Sequence, residues 1–255
     1  MSRHGRYLVF ALGVVGLIVL LGPAIAELPR FGSTHHLYRN LAVAAAVLHH
    51  TSNVVSSVNF DQRGFDTLGE ESIFFASVAG TGLLLRPGEH ETERHPLGHP
   101  RMLDATRFVG YALLPLSTIL GLDVISHGNV TPGGGFQGGV VLGTGLHLLY
   151  VAWSHDSLER LRPTNLLEWG EALGAGAFSA LGIAGLVAGA AFLTNIVPLG
   201  HFGALFSGGT VPLLNVAVGI EVASGTAVLL AYFLKQAIFI EPDGGRDDRA
   251  REEIS

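Results

Sequence analysis

The sequence predicts an all-α fold, that of a polytopic integral membrane protein with about seven transmembrane helices. Hydrophobic residues make up 48% of the 255 residues and charged residues only 14%, with a mean hydropathy of +0.44. Soluble domains carry considerably more charge. The apolar residues also come in runs close to the ~20 residues that cross a bilayer, rather than in short alternating stretches. These runs predict spans at about 7–26, 38–59, 68–86, 106–123, 135–153, 170–193 and 211–239.

The first two predicted spans differ in polarity. Residues 7–26 are uniformly apolar. This run is longer than the core of a secretory signal, and no clear cleavage site precedes a soluble domain, so we interpret it as a span. Residues 38–59 contain histidines, serines and asparagines throughout. A helix this polar would be unstable facing lipid. We therefore expect that other helices cover it or that part of it lies at the membrane–water interface.

A glycine-rich stretch, SHGNVTPGGGFQGG (residues 126–139), joins the fourth and fifth predicted spans. Its threonine–proline pair is typical of a helix start. Gly135, Gly139 and Gly143 then recur every four residues, with His147 on the same line, and form a narrow stripe on one helix face. Stripes of small residues are places where neighbouring helices pack closely. We therefore interpret this stripe as an assembly surface for another subunit.

Several other kinds of site are disfavoured. A phosphate-binding loop would need Gly-Lys-Ser/Thr after the glycines and a soluble strand before them. The absence of cysteine excludes disulfides, thiolate zinc sites and cysteine nucleophiles. Histidines in the 86–107 connector lie in proline-broken chain without fixed geometry, so a solvated linker is favoured over a metal site. We expect no metal, no cofactor, no enzymatic activity of its own and, without a basic patch, no nucleic-acid binding.

Asp66 and Glu70 lie four residues apart and would share one helix face. Thr67-x-x-Glu70 fits a capping box, which by itself would explain the glutamate. The functional alternative is a carboxylate about one turn inside the bilayer that exchanges protons or binds Na+. The residues alone leave both interpretations open.

Glu221 is predicted about 15 Å deep in the last span, close to the middle of the bilayer. Burying a lone charge there costs roughly 2.5–3.5 kcal/mol on insertion scales. It is either a neutral, hydrogen-bonded side chain or part of an ion path. His49 and His147 are predicted at a similar depth, about 13–18 Å. If these groups converge, they could pass protons that Asp66 and Glu70 exchange at the outer mouth.

Two motifs resemble a known family. HGN-x-x-PGGGFQGG resembles the signature of the B-type subunit of multisubunit Na+/H+ antiporters, the Mrp or Mnh complexes. The residues that carry it are His127, Asn129, Pro132, Gly133, Gly134, Gly135, Phe136, Gly138 and Gly139, and Gly143 extends the glycine row. RGFDTLGE resembles a motif near the end of the large A-type subunit and in small E-type subunits of membrane-bound hydrogenase complexes. It comprises Arg63, Gly64, Phe65, Asp66 and Glu70, with departures at Gln62 and at the doubled acid Glu70-Glu71.

The resemblance implies a fusion of two membrane pieces. Residues 1–88 are similar to the A-type C-terminal region, with three helices, and residues 104–240 to the B-type subunit, with four. Residues 241–255 form a charged tail that we expect to be disordered in the cytoplasm. The implied function is that of a membrane subunit of a hetero-oligomeric monovalent cation (Na+)/proton antiporter, with other antiporter subunits as partners and Na+ and H+ as ions. The alternatives are a subunit of a related proton-pumping redox complex, membrane-bound hydrogenase or complex I-like, and a purely structural scaffold.

Basic residues predict the orientation in the cell membrane. Twelve lysines and arginines follow the odd-numbered spans or lie in the last span and the tail: Arg30, Arg39, Arg86, Arg94, Arg101, Arg107, Arg160, Arg162, Lys235, Arg246, Arg249 and Arg251. The opposite side has three: Arg3, Arg6 and Arg63. This bias predicts an outer N-terminus and a cytoplasmic C-terminus.

Overall fold

The computed structural model of the protein describes residues 3–28, 32, 36–85, 92–93, 103–152 and 164–240. The helices in these residues are α1 Arg3–Ala26, α2 Leu37–Leu48, α3 Val54–Ser57, α4 Gly64–Leu84, α5 Asp104–Ser126, α6 Gly135–Ala152, α7 Thr164–Val187 and α8 Val211–Ile238. A π-helical turn, Val58–Gln62, follows α3. The predicted all-α class is confirmed. Besides the helices, the described residues contain one short antiparallel strand pair, β1 Thr92–Glu93 with β2 Phe239–Ile240.

The chain divides into two compact units, residues 1–41 and 42–255. The first contains α1, whose segment Tyr7–Ala26 is long and apolar enough to cross a membrane. In the second, Asp104–Ser126, Asn165–Val187 and Val211–Phe233 meet the same criterion. Helices α4 and α6, with 21 and 18 residues, have lengths close to those a bilayer requires. Three carboxylates in the first eight residues of α4 lower its hydropathy.

The prediction of one continuous helix over residues 38–59 is wrong. Helix α2 ends at Leu48, and His50 adopts a left-handed backbone with φ of 55°. Asn53 then caps α3, because its side-chain oxygen accepts hydrogen bonds from Val55 N and Ser56 N. The polar residues of this segment therefore satisfy backbone groups at a break, and such a break is tolerated at membrane depth where protein covers it.

Helix α8 is the centre of the second unit, with α4, α6 and α7 packed around it. Its side chains Val211, Leu214, Val218 and Val222 form the core together with Phe60 and Phe178. Glycines allow the surrounding helices to approach. A Cβ added to Gly174 of α7 would lie 2.7 Å from the Cβ of Glu221, and one added to Gly225 of α8 would lie 2.5 Å from Cε1 of Phe74. The backbone of α7 thus contacts α8 directly, and the Phe74 ring of α4 packs against α8 at Gly225.

Some sequence predictions lie outside the described residues. These are the tail at 241–255 and most of the connector at 86–107 with its three histidines.

Candidate functional site

The glycine stripe of α6 packs against α8 of the same chain. A Cβ added to Gly139 would lie 2.9 Å from both the carbonyl oxygen of Gly219 and the Cβ of Val222. At the end of the stripe, His147 Nε2 lies 3.1 Å from the carbonyl oxygen of Thr226. The interpretation of this stripe as an assembly surface for another subunit is therefore wrong. It is an internal packing surface, and His147 makes an interhelical hydrogen bond.

Two buried asparagines hold the glycine-rich loop between α5 and α6. Asn53 Nδ2 donates to the carbonyl oxygens of Gly128 and Thr131, each at 2.8 Å. Asn129, from the loop itself, donates at 2.8 Å to the carbonyl oxygen of Ser207, in the segment that precedes α8. The loop is thereby tied to both the α2–α3 break and the α7–α8 connection.

Asn215, fully buried on α8, supports the start of α6. Its Oδ1 accepts a hydrogen bond of 2.8 Å from the backbone N–H of Gly135, and its amide donates to Ser56 Oγ at 3.0 Å. A Cβ added to Gly134, where φ is 154°, would lie 2.7 Å from the same Oδ1. Glycine is needed here because both the backbone conformation and the close approach exclude a side chain.

The remaining motif residues of this loop shape the turn and its packing. His127 Nδ1 lies 3.0 Å from the carbonyl oxygen of Asp123 at the end of α5. Phe136 meets Phe74 edge to face, with ring centroids 6.2 Å apart. A Cβ added to Gly138 would lie 2.7 Å from the carbonyl oxygen of Gly121 in α5. Pro132 is exposed, and Gly133 has a φ of 130°.

The RGFDTLGE motif opens α4. Arg63 and Asp66 form an exposed ion pair, so Asp66 lies at the surface. Gly64 is buried beside Leu193, whose Cδ1 would lie 3.3 Å from an added Cβ, and Phe65 is exposed.

The capping-box interpretation of this motif is wrong. The hydroxyl of Thr67 donates to the carbonyl oxygen of Asn59 at 2.7 Å, and α4 begins at Gly64. Glu70 is exposed and lines a cavity of about 220 Å³ between the start of α4 and the glycine-rich loop. Residues 133–137 of the loop line the same cavity, as does Glu71. The two motifs of the sequence therefore meet at one cavity.

Three glutamates are buried at or near this cavity, and Glu71 is the one that lines it. Glu71, Glu171 and Glu221 are 2%, 5% and 0% exposed. Among the described residues, no backbone N–H, side-chain amide or alcohol hydroxyl donates a hydrogen bond to either carboxyl oxygen of Glu221, to Oε2 of Glu71 or to Oε1 of Glu171. No salt bridge recorded for the described residues includes them. The Glu221 carboxyl lies within hydrogen-bonding reach of the Glu71 carboxyl and interacts electrostatically with that of Glu171.

Helix packing explains how residues 71 and 221 meet. Phe74 of α4 contacts Gly225 of α8, and Tyr232 lies 2.6 Å from the position of a Cβ on Gly82. Residue numbers rise together along the two helices, so α4 and α8 run in the same direction. Glu71, almost one turn before Phe74, therefore faces Glu221, one turn before Gly225.

Glu171 reaches the same place from α7. Gly174 contacts Glu221, and Gly170 contacts Ser224, so residue numbers run in opposite directions along α7 and α8. Of the three glutamates, the sequence singled out only Glu221. Glu71 was treated as a departure from a motif, and Glu171 was missed. The available signal for Glu171 was a carboxylate between glycines in an apolar run.

His49 belongs to a different cluster. Its Nδ1 pairs with Oδ2 of Asp61, a buried carboxylate in the π-helical turn. Asn195 donates to the other oxygen of Asp61 at 3.3 Å and accepts at 2.9 Å from the N–H of Thr210, directly before α8. His49 therefore lies near the start of α8, whereas Glu221 is about 15 Å further along that helix. The structure does not bring the two together.

The sequence relationships can now be compared with this geometry. Residues 105–228 match a family model described as a domain related to the MnhB subunit of the Na+/H+ antiporter. An uncharacterized protein of Methanocaldococcus jannaschii is 28% identical over 209 residues, which are 74% of this chain and 79% of the relative.

Two solved structures are similar in fold. One is a chain of the membrane-bound sulfane sulfur reductase, an archaeal respiratory membrane complex: TM-score 0.68, 25% identity, 92% of this chain and 99% of that chain. The other is a chain of the Mrp complex from Dietzia sp. DQ12-45-1b: TM-score 0.66, 23% identity, 95% of this chain but only 27% of that chain. The protein is thus a multi-pass membrane subunit whose residues 105–228 match the family model of a domain related to the MnhB subunit of Na+/H+ antiporters.

Proposed function

We propose that the protein is a membrane subunit of a hetero-oligomeric monovalent cation (Na+)/proton antiporter, and that it supplies part of the ion or proton path. The observation that carries this proposal is the pair of buried glutamates, Glu71 and Glu221, behind a cavity lined by both motifs. The MnhB-related domain and the fold shared with the Mrp complex support it. We propose no enzymatic activity or cofactor for the chain.

The chemistry of the site follows from its surroundings. Ionisable groups are expensive inside a membrane and are typical of ion or proton pathways. Neighbouring ionised carboxylates in an apolar environment repel one another, so such a group takes up protons or a cation. Glu70, exposed at the cavity, provides access from the end of the bundle that holds the glycine-rich loop. Asp66 is engaged with Arg63 and has no part in this path.

The test is Glu221→Gln, which keeps size and polarity but removes the titrating group. We expect Na+-induced pH change in everted vesicles to fall by roughly 100-fold, the lower end of the effect of a positioned proton-transfer group. The vesicles come from an antiporter-deficient strain that carries the whole complex. Asp104→Asn, an exposed carboxylate in the first turn of α5, is the matched control and should keep wild-type exchange.

Assembly is checked on the same samples by native electrophoresis. Loss of exchange in an intact complex supports a titrating role for Glu221. Wild-type exchange across the pH range in Glu221→Gln and Glu71→Gln would leave the chain as a scaffold, and the proposed path would be abandoned.

A membrane subunit of a proton-pumping redox complex is the second candidate. It is favoured by the match to nearly the whole of one chain of the sulfane sulfur reductase complex, 99%. The two candidates differ in their partners. Purification in mild detergent should recover other antiporter subunits under the first and redox subunits under the second.

We also infer the orientation from the twelve-to-three bias of lysine and arginine, with the C-terminus in the cytoplasm. The end of the bundle that carries the glycine-rich loop and Glu70 then faces outward.

A further inference from the structure

We infer that the path continues from Glu221 through Glu171 to Glu168, so that this single chain carries protons from one end of its bundle to the other. The inference rests on the proposed function and extends it. It assigns a role to α7, a helix in which neither motif lies. The line comprises five carboxyls in the order Glu70, Glu71, Glu221, Glu171, Glu168.

The positions along the helices place these carboxyls at successive depths. Helices α4 and α8 both start at the end that holds the glycine-rich loop, and α7 starts at the opposite end. At 1.5 Å per residue, Glu71 is about 10 Å from the loop end and Glu221 about 15 Å. Glu171 and Glu168 are about 10 Å and 6 Å from the opposite end. The line therefore crosses the bundle.

Each carboxyl interacts with the next one. Glu71 interacts electrostatically with Glu70 and Glu221, and Glu221 with Glu171. Glu171 interacts in turn with Glu168.

The two ends of the line are exposed, and its middle is buried. Glu70 is exposed at the cavity, and Glu168 is exposed near the start of α7. Glu168 Oε1 accepts a hydrogen bond of 3.2 Å from the hydroxyl of Tyr232. Between these ends, Glu171 is 5% exposed and its Oε1 accepts no hydrogen bond from the described residues. A buried oxygen without a donor is expensive unless something binds there.

A proton suits this line better than a metal cation. A hard cation needs several oxygen ligands that converge on one point, and no group of three or more acidic, histidine or cysteine side chains in the described residues can hold a metal ion. A proton needs only one acceptor oxygen at each step. It leaves the carboxyl of Glu71 for a carboxylate oxygen of Glu221, and Glu71 becomes ionised. The same transfer follows from Glu221 to Glu171 and from Glu171 to Glu168, with no change in total charge.

The other titratable groups near the line are few. Tyr232 of α8 binds Glu168, and His147 of α6 is bonded to the backbone of Thr226. None of the five carboxyls takes part in a salt bridge recorded for the described residues. No fixed positive charge recorded there would keep one of these carboxyls ionised and so stop the proton at that step.

Thiol labelling tests the crossing without relying on activity. The chain has no cysteine, so Glu70→Cys and Glu168→Cys are unique labels in this subunit. The assembled complex in oriented vesicles is treated with a charged, membrane-impermeant thiol reagent from either side. We expect the two positions to react from opposite sides of the membrane. Asp123→Cys and Asp104→Cys, at the two ends of α5, are the reference positions. Glu70→Cys should react from the same side as Asp123→Cys, and Glu168→Cys from the same side as Asp104→Cys. Reaction of Glu70→Cys and Glu168→Cys from the same side would overturn the inference.

Glu171→Gln tests the transfer itself. We expect exchange to fall by roughly 100-fold in an intact complex, as for Glu221→Gln. Glu171→Asp keeps a titrating carboxyl and should restore part of the rate with a shifted pH profile, which a purely structural role would not produce. Asp104→Asn again serves as the control.

The outcomes separate this inference from the proposed function. Loss in Glu221→Gln with wild-type exchange in Glu171→Gln would keep the proposed function and overturn the extended path. Wild-type exchange in both would overturn both. A changed Na+ dependence with an unchanged pH profile in Glu171→Gln would assign this position to Na+ and overturn the proton path.

Discussion

At the scale of single residues, the buried amides of Asn53 and Asn215 differ from the buried carboxyl of Glu221. Asn53 and Asn215 use both the donor and the acceptor of their side chains, on loop carbonyls, backbone N–H groups and a serine hydroxyl. No backbone N–H, side-chain amide or alcohol hydroxyl of the described residues donates to Glu221, although it is fully buried. A satisfied amide stabilises one structure, whereas an unsatisfied carboxyl needs a proton or a cation. This contrast assigns the asparagines to the fold, and it is consistent with the transport role that we propose for the glutamates.

Asn53→Ala is predicted to destabilise the protein by about 2 kcal/mol. The substitution removes the cap of α3 and leaves the carbonyl oxygens of Gly128 and Thr131 without their donor. Thermal unfolding of the purified complex in detergent measures the change as a lower midpoint. Asn40→Ala, at an exposed position of α2, is the control and should leave the midpoint unchanged. Equal midpoints for the two variants would contradict the structural role of Asn53.

At the scale of helices, glycine spacing decides which helices meet. Gly135, Gly139 and Gly143 bring α6 against α8, and Gly170 and Gly174 bring α7 against other residues of the same stretch of α8. When apolar helices approach closely, the van der Waals contacts between them are better packed than contacts of the same surfaces with lipid. The glycines thus position the side chains between them, including Glu171 and Glu221.

Gly139→Leu is predicted to reduce the amount of this chain in the membrane. The new side chain would have to occupy the space of the Gly219 carbonyl and the Val222 side chain, and overpacking costs about 1–3 kcal/mol or more. Gly176→Leu is the matched control, because a Cβ there meets nothing within 4 Å. Immunoblots of membranes and native gels report the chain and the complex. If Gly139→Leu is present at the wild-type level in a normal complex, the tight contact between α6 and α8 is not required.

At the scale of the whole molecule, much of the apolar surface is exposed. None of the window that defines the α1 span is buried within the chain, against 61% of the window in α8. Large apolar side chains also cover the outward faces of α5 and α7. Surfaces of this kind require lipid or other subunits, in agreement with a subunit of a multi-chain membrane complex.

Ser255→Cys tests the proposed orientation of the molecule. With the C-terminus in the cytoplasm, a membrane-impermeant thiol reagent should label this position in permeabilised cells and leave it unlabelled in intact cells. Residue 255 lies outside the described part of the chain, so the test depends only on sidedness. Labelling in intact cells would show that the orientation is inverted. The break in residues 49–53 makes this measurement informative, because the number of complete crossings depends on it.

The sequence by itself determined the helical membrane class, most of the spans and the importance of the glycine-rich loop. Apolar length and glycine periodicity are both local patterns in the chain, and the bilayer imposes the apolar length whatever the neighbours are. The two boundaries at 88 and 104 between the family-like pieces remain predictions from the motifs.

Only the tertiary structure decided which polar groups meet. Glu70 and Glu71 are adjacent in the chain but about 100° apart around α4, so the rotation of that helix against α8 decides which of them is buried. The motif pointed to Glu70, and the packing of Phe74 against Gly225 turns Glu71 inward. Glu171 joins it because glycines on α7 allow that helix to lie against α8. These are long-range contacts, and no local pattern in the chain specifies them.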